Sequence, residues 1–367
     1  MTAQAVRTET EACRVVTAAI SARLLIAAQL REVTEVRWSL VSGDRVEDPP
    51  AGVPACTVPM RRELAWSDLR AFVRLLRLFR ARRFRFVQTH TPKASLLALP
   101  AARLSGTRAV YTVHGAMYFR GHGRLANLLG WVFERWCCSW ADHVLVQSEE
   151  DLRVLPEAGI CPARKLTYLG NGIDLARFAQ VPAPAADPHR RPVVLMISRL
   201  VAEKGCRDFL ATAEQLQGIA DFVHVGPQEE DQRDRLSAEE LRRASSYVHF
   251  VGAVPDVRPA LAQADVVVLP SYREGIPRAA MEAAATGRPV VAYDIRGVRE
   301  VIPPASALLA PVGDVRRLTE LVRELVLDEP ARLTAGRGCR EWVVDRFSED
   351  RVLDRLREFY RQEGLAG

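Results

Sequence analysis

The stretch from Ala264 to Ala292 reads ADVVVLPSYREGIPRAAMEAAATGRPVVA, and it leaves little freedom of fold. Asp265–Leu269 is a short, almost wholly apolar run, as expected of a parallel strand buried on both faces. Pro277 suits the first position of a helix, and Gly287 with Pro289 ends one. Val290–Ala292 is strand-like again. Strand, loop, short helix and strand form a parallel crossover unit. Its loop lies at the carboxyl end of the sheet, the edge at which open α/β sheets bind ligands.

The same alternation runs from end to end, which indicates an α/β protein with parallel sheets. In the first half, strands are expected at 14–17, 35–41, 86–90, 109–114 and 143–147, with helices at Ser67–Arg82 and Leu125–Trp140. AQVPAPAADPHRRP (179–192) has no apolar periodicity and reads as a linker. A second set of strands follows at 193–197, 222–225, 247–251, 265–269, 290–293 and 307–310. At 367 residues the chain exceeds the size at which one core keeps growing. Two doubly wound, Rossmann-like domains facing across a cleft are therefore expected, with 1–180 as the first, 181–192 as linker and 193–348 as the second. The last helix, within 349–367, is expected to cross back to the first domain.

Charge is distributed unevenly. Residues 1–180 carry 25 Lys/Arg against 16 Asp/Glu, whereas the remainder carries 26 against 29. The amino half suits an anionic partner, such as a lipid surface or a phosphorylated acceptor. Ser67–Arg82 places Leu69, Phe72, Val73, Leu76 and Phe79 beside Arg70, Arg74, Arg77 and Arg80. This reads either as a helix packed on the sheet with a basic solvated face, or as a peripheral membrane contact through 67–86. Trp131, Trp136 and Trp140, near Leu128–Phe133, read either as core aromatics or as an apolar acceptor surface. There is no apolar run long enough to span a bilayer, and the first residues lack a charged-then-apolar signal pattern. Seven scattered cysteines fit reduced thiols. A cytoplasmic protein is expected, at most peripheral on the inner face of a membrane, with no nucleic-acid partner.

The chemistry concentrates around two glutamates. Glu274 sits in the loop after the 265–269 strand. Glu282 lies in the following helix, roughly 8 Å along the axis from Pro277. Helical side chains lean toward the amino end, so Glu282 points back toward that loop. Ionised carboxylates only accept hydrogen bonds, and a polyol offers many hydroxyl donors. The free N–H groups of a helix start favour an anion between them. A nucleotide sugar is such a ligand. Arg199 and Lys204, in the loop SRLVAEKG after the 193–197 strand, lie at the same edge and can neutralise a diphosphate. Only Lys93, Lys165 and Lys204 are lysines among 51 basic residues, so each position carries weight. His114 ends the strand AVYTVHG, where an imidazole can bind hydroxyls or take a proton. A satisfied hydrogen bond at a strand end is the plain alternative. His90 in QTHTPKAS occupies a comparable place. Asn171 and Gly172 signal a turn in their own right. No D-x-D occurs, so no metal is expected, and Arg199 and Lys204 would take the place of a cation.

These segments resemble one family. NGIDLARF (171–178), SRLVAEKG (198–205), VGAVPDV (251–257), the 264–292 stretch and DIRGVREV (294–301), with VHG at 113–115, are similar to the retaining, nucleotide-sugar-dependent glycosyltransferases of family 4, which have the GT-B fold. The likeness covers nearly the whole chain and is strongest in the second half. QTHTPKASLLALPAARLSG (88–106) is similar to the branch that builds bacterial capsule and O-antigen sugars. The resemblance implies that Arg199 and Lys204 bind the donor diphosphate, Glu282 the ribose, and Glu274 the transferred sugar, with the N–H groups of Gly275 and Ile276 nearby. Val254 would lie beside the base and His114 near the reacting carbon. Ser21, His90, Lys93 and Asn171 are acceptor-side candidates. The resemblance also implies retention of configuration, through same-face attack assisted by the leaving phosphate, with the NDP-sugar as co-substrate and no cofactor.

Two departures stand out. Relatives carry a Gly-Gly turn after the first strand, and here TAAISARLLIAAQL (17–30) has no glycine, which leaves Ser21 to face the cleft. PPASALLAP (303–311) lacks the glycine usual before that strand. A nucleotide-sugar 2-epimerase and a non-catalytic homologue acting as a partner protein are the alternative readings.

Overall fold

The computed structural model describes residues 11–61, 63–118, 123–183, 190–228 and 234–366. The start of the chain and half of the expected linker, residues 184–189, lie outside the described residues. Two compact units emerge: residues 1–170 with 351–367, and residues 171–350.

The first unit holds seven parallel strands: β1 (Glu11–Val16), β2 (Arg37–Ser42), β3 (Ala55–Thr57), β4 (Phe86–Thr89), β5 (Arg108–Val113), β6 (His143–Val146) and β7 (Leu166–Tyr168). Their order is β3-β2-β1-β4-β5-β6-β7. The second unit holds six: β8 (Val193–Ile197), β9 (Asp221–Val225), β10 (Val248–Gly252), β11 (Val266–Leu269), β12 (Val290–Tyr293) and β13 (Leu309–Ala310), in the order β10-β9-β8-β11-β12-β13. Both are doubly wound. The direction of winding reverses between β1 and β4 and again between β8 and β11, and such switch points are where doubly wound sheets bind ligands.

The exposed, short β3 was not expected from the sequence, because three exposed residues carry no periodicity to read. β13 begins two residues later than expected. Ala307 before it takes φ 54°, the left-handed region that glycine fills without strain. The missing glycine of 303–311 is thus answered by a strained alanine. Pro277 is the N-cap of helix Arg278–Ala285 and not its first residue.

The apolar stripe of helix Ser67–Arg82 turns inward. Ala71, Leu75 and Phe79 are buried, and Phe72 and Leu76 pack against the same core, so most of the stripe is covered while Leu69 in the first turn stays 68% exposed beside the basic residues. The opposite face of the sheet is covered by the carboxyl-terminal helix, Glu349–Gln362. Val352, Leu353, Leu356, Phe359 and Tyr360 join a core with Ala12, Val16, Leu40 and Phe86.

That core contains a charge. Arg14 on β1 is wholly buried and has no carboxylate partner among its described contacts. Its guanidinium donates to the Gln29 side chain and, at 3.0 Å, to the Tyr360 hydroxyl, and it lies 4.3 Å from the centroid of the Trp38 ring. Tyr360 donates onward to Gln88, whose amide donates to Thr112 Oγ1 at 2.8 Å. Burial lowers the arginine's affinity for its proton, and neutral oxygens with an aromatic face replace the lost water. Tyr360→Phe removes one acceptor from a buried cation. It is expected to lower the stability of the first unit by about 2 kcal/mol, read from the urea midpoint.

Candidate active site

In the second unit, two loops meet at the switch point. After β8 the chain passes Ser198 and Arg199, makes a tight 3₁₀ turn over Ala202–Lys204, and enters helix Cys206–Leu216 through Gly205. Gly205 takes φ 72°, and a Cβ there would lie 1.8 Å from the Pro270 carbonyl oxygen, so only glycine lets this loop press on the end of β11. The loop after β11 is strapped to it. Tyr272 N–H donates to Glu203 O at 2.9 Å, the Arg273 guanidinium to the Glu203 carboxylate at 2.6 Å, and the Tyr272 hydroxyl to Asp208 at 2.7 Å. Tyr293 at the end of β12 donates to the same Asp208 oxygen, also at 2.7 Å.

Within this frame Lys204 Nζ lies 2.8 Å from Glu274 Oε1, with both side chains mostly shielded from solvent. Two residues 70 positions apart are thus held as a pair. Arg199 stands beside them, 4.0 Å from Glu203. Gly275 is pinned from behind. A Cβ at Gly297 (φ 78°) would lie 1.4 Å from the Gly275 carbonyl oxygen, so the 294–297 turn fixes the peptide that carries the Ile276 N–H. Neither the Gly275 nor the Ile276 backbone N–H donates to another group among the described residues, and both precede the start of helix Arg278–Ala285. Two backbone donors, Lys204 and Arg199 make a place for an anion.

Glu282 lies one turn into that helix, 3.5 Å from Arg278. Burial raises its carboxyl above the ordinary range, and Arg278 works against that rise. Arg177 and Asp256 are close enough to act on the same carboxyl and form an ion pair at 3.4 Å. Asp256 is also gripped by Arg258, which holds its carboxyl down at about 2. Val254 sits half-buried in the same loop. The Arg177–Asp256–Arg258 cluster was not singled out in the sequence. NGIDLARF and VGAVPDV were both recognised, but nothing in either segment shows that they meet. Asn171 falls in the second unit, apart from the other acceptor-side candidates Ser21, His90 and Lys93. Its amide reaches Ile276 O at 3.5 Å, and its side-chain oxygen accepts the Gly172 N–H at 2.9 Å.

The first unit gathers a different set at its own switch point. His90 follows β4 and His114 follows β5, and His90 Nδ1 lies 3.1 Å from His114 Nε2. The Gln147 side chain bonds the His114 ring as well. Burial pushes both imidazoles down, with the Arg14 charge adding to it. His114 falls to about 4, and His90 lies well below its ordinary value. Alternation along the strands puts Arg14, Gln88, His90, Thr112 and His114 on one sheet face, so the histidines form a layer above the Arg14–Tyr360–Gln88–Thr112 layer. Lys93 is not available for a ligand. It is buried, paired with Asp68, and donates to Glu63 O at 2.8 Å, which fastens the approach to helix Ser67–Arg82. Ser21 is half-buried in the short helical turn Ala19–Ser21.

The absent Gly-Gly turn has a structural answer. The Ala19 N–H is taken by Asp44 Oδ1 at 2.5 Å, and Ser42 Oγ donates to the same oxygen at 2.8 Å. The close backbone approach occurs one strand over, at Gly43, where a Cβ would lie 2.3 Å from the Thr17 carbonyl oxygen. Asp44 was not visible as a site residue, because its partner lies 25 positions earlier.

With this geometry in place, comparison with known proteins gives the class. Residues 23–177 match the model of glycosyltransferase family 4, and residues 191–328 match that of the glycosyl transferases group 1. The chain belongs to glycosyltransferase family 4 and is a nucleotide-sugar-dependent glycosyltransferase with the GT-B fold. It is 32% identical over 276 residues to the 2-deoxystreptamine glucosyltransferase of Streptomyces kanamyceticus, covering 69% of this chain and 70% of that protein. It is 27% identical over 308 residues to the N,N'-diacetylbacillosaminyl-diphospho-undecaprenol α-1,3-N-acetylgalactosaminyltransferase of Campylobacter jejuni, covering 80% and 81%. The fold matches the crystal structure of Anabaena HepE with UDP and glucose at a TM-score of 0.78, with 17% identity, over 96% of this chain and 100% of that one. Family membership selects glycosyl transfer over the epimerase and partner-protein alternatives.

The depressed histidines give a measurable consequence. An unfolded imidazole takes up a proton near pH 6.5, while His114 does so only near 4. The unfolded state therefore binds more protons in that window, and stability falls as pH drops through it. At pH 5.5 the ring nitrogens of His90 and His114 are expected to keep neutral-imidazole ¹⁵N shifts. Imidazolium shifts at either ring would contradict the buried, Arg14-facing geometry.

Proposed function

We propose that the second unit binds the donor and that it does so without a metal ion. The observation that carries this reading is the Lys204–Glu274 pair at 2.8 Å, set beside the two undonated N–H groups of Gly275 and Ile276. An unliganded site with an exposed lysine and a lone carboxylate would have to reorganise on binding. Here each partner holds the other in place beforehand. Lys204, Arg199 and the backbone donors take the diphosphate. Glu274 accepts hydroxyls of the sugar, and Glu282 accepts those of the ribose. Val254 borders the base.

The chemistry follows from charge. As the bond from the anomeric carbon to the phosphate oxygen breaks, negative charge grows on the leaving diphosphate. Fixed cations and N–H groups aimed there stabilise that charge more in the transition state than in the ground state. His114 is already engaged by His90 and Gln147, and burial holds both imidazoles below their ordinary range, so a strong base there is not the source of the rate. This supports attack on the same face, with the departing phosphate oxygen receiving the acceptor proton, and hence retention of the anomeric configuration. We assign the acceptor to the first unit. Relatives act on a diphospho-undecaprenol-linked sugar in one case and on 2-deoxystreptamine in another, so a hydroxyl on a lipid-linked glycan and one on a soluble natural product are the two acceptor classes to test.

A thermal-shift screen of UDP-, GDP- and dTDP-sugars identifies the donor, because a ligand of the folded state raises the melting point with its occupancy. With that donor, Lys204→Met is expected to lower turnover by roughly 10²–10³-fold, the loss typical of one preorganised donor group. Turnover within twofold of wild type would remove Lys204 from the leaving-group site. Glu282→Gln is expected to weaken a ribonucleoside diphosphate several-fold while leaving its 2′,3′-dideoxy analogue unaffected. Equal loss for both would place Glu282 away from the ribose.

A further inference from the structure

Helix Arg124–Trp140 presents a face that the transferase chemistry leaves unused. Leu125, Leu128, Leu129, Val132 and Trp136 are each between 44% and 69% exposed, and their spacing puts them on one stripe. The opposite side of the helix is fixed. Gly130 presses against the Met117 carbonyl, where a Cβ would approach to 2.5 Å. Glu134 is fully buried and accepts from the Tyr111 hydroxyl at 3.0 Å and from the Met117 N–H at 2.7 Å. Cys137 and Cys138 complete the inner face. The helix cannot roll to hide its stripe without stranding a buried carboxylate.

The surroundings of the stripe are cationic. Arg124 and Arg135 are exposed on one flank, and the only acidic residue of the helix is the buried Glu134. Beside Val132 and Trp136 lies a cavity of 420 Å³ that Trp131, Arg135, Arg164 and Lys165 also line, with no carboxylate in its wall. Trp136 and Trp140 pack edge to face, 5.6 Å apart, at the end of the stripe. Leucines in a band, tryptophans at its margin and arginines beyond them match the depth profile of a bilayer surface. A two-fold pairing of stripes would set Arg124 of one copy toward Arg135 of the other, with no acid on either helix between them, and this argues against a second copy.

We propose that the outward face of helix Arg124–Trp140 docks onto an anionic phospholipid bilayer, with the stripe entering the headgroup boundary and Arg124, Arg135 and Arg164 meeting lipid phosphates. No helix among the described residues is long and apolar enough to cross a membrane, so this contact lies in the plane of the surface. It takes precedence over helix Ser67–Arg82, whose stripe is turned mostly into the core and leaves only Leu69 exposed, whereas five apolar side chains are exposed here. The docking does not depend on the donor or acceptor assignment, and its test needs no turnover.

The test is flotation with vesicles of phosphatidylcholine containing a quarter phosphatidylglycerol, and with pure phosphatidylcholine, at low and high salt. The wild-type chain is expected to float with the anionic vesicles and to be weakened by salt. Leu128→Glu with Leu129→Glu, both surface changes, is expected to reduce partition at least about tenfold, with an unchanged melting point. Arg74→Glu with Arg77→Glu on the other helix is expected to reduce it less than threefold. As a variant that keeps the surface apolar, Trp136→Phe is expected to remove part of the quenching of tryptophan fluorescence by brominated lipid. A wild-type chain that stays at the bottom of the gradient overturns the proposal, as does a Leu128/Leu129 variant that floats normally. Loss of flotation only in the Arg74/Arg77 variant overturns it in favour of the basic helix. A dimer in sedimentation velocity that the Leu128/Leu129 variant splits overturns it in favour of a second copy.

Discussion

The candidate sites of both units rest on one constraint, that each parallel sheet reverses its winding once. On either side of β1/β4 and β8/β11 the crossover helices lie on opposite faces, so the loops that leave those strands part at the carboxyl edge. The second unit fills its opening with a cation–carboxylate pair and unused backbone donors. The first fills its opening with neutral imidazoles, hydroxyls and one capping carboxylate. The two openings are alike in topology and opposite in chemistry, as expected if one grips a diphosphate and the other receives a hydroxyl.

Precision in the second unit's candidate site comes from glycine as much as from charge. Gly205, Gly226 and Gly297 each stand where an added Cβ would come within 1.8 Å of a carbonyl oxygen on a neighbouring loop. These contacts stack four loops edge on edge, those after β9, β8, β11 and β12, so the distance between Lys204 and Glu274 is set by backbone packing and not by two flexible side chains finding each other. The same device explains the divergent first loop, where Gly43 supplies the close contact and Asp44 occupies the N–H that a Gly-Gly turn would leave open.

Much of this was legible in the chain. The 264–292 stretch showed strand, loop, helix and strand because each element was long enough to display its own period, and the placement of Glu274, Glu282, Arg199 and Lys204 at one edge followed from that. What stayed hidden depends on contacts distant in sequence. Lys93 looked like a candidate ligand because it opens a helix beside His90, and only the fold reveals Asp68 against it. Asn171 was placed with the first domain because the composition change came later, at 179–192, than the structural boundary at 170. The stripe of Ser67–Arg82 fitted a core or a membrane, since periodicity states that a face is apolar and not what covers it. The stripe on Arg124–Trp140 was masked by its tryptophans, which appear on both the covered and the uncovered sides.

The buried Arg14 has a consequence in time as well as in space. Its guanidinium is satisfied by Tyr360, 346 residues further along the chain. During synthesis the sheet of the first unit can assemble, but its central strand then carries a dehydrated charge with an open side until the last helix arrives. The whole second unit must be made in between. The amino-terminal unit therefore cannot complete its fold before Tyr360 is made, and β1 gains the cover for its charge only after the whole second unit has been translated.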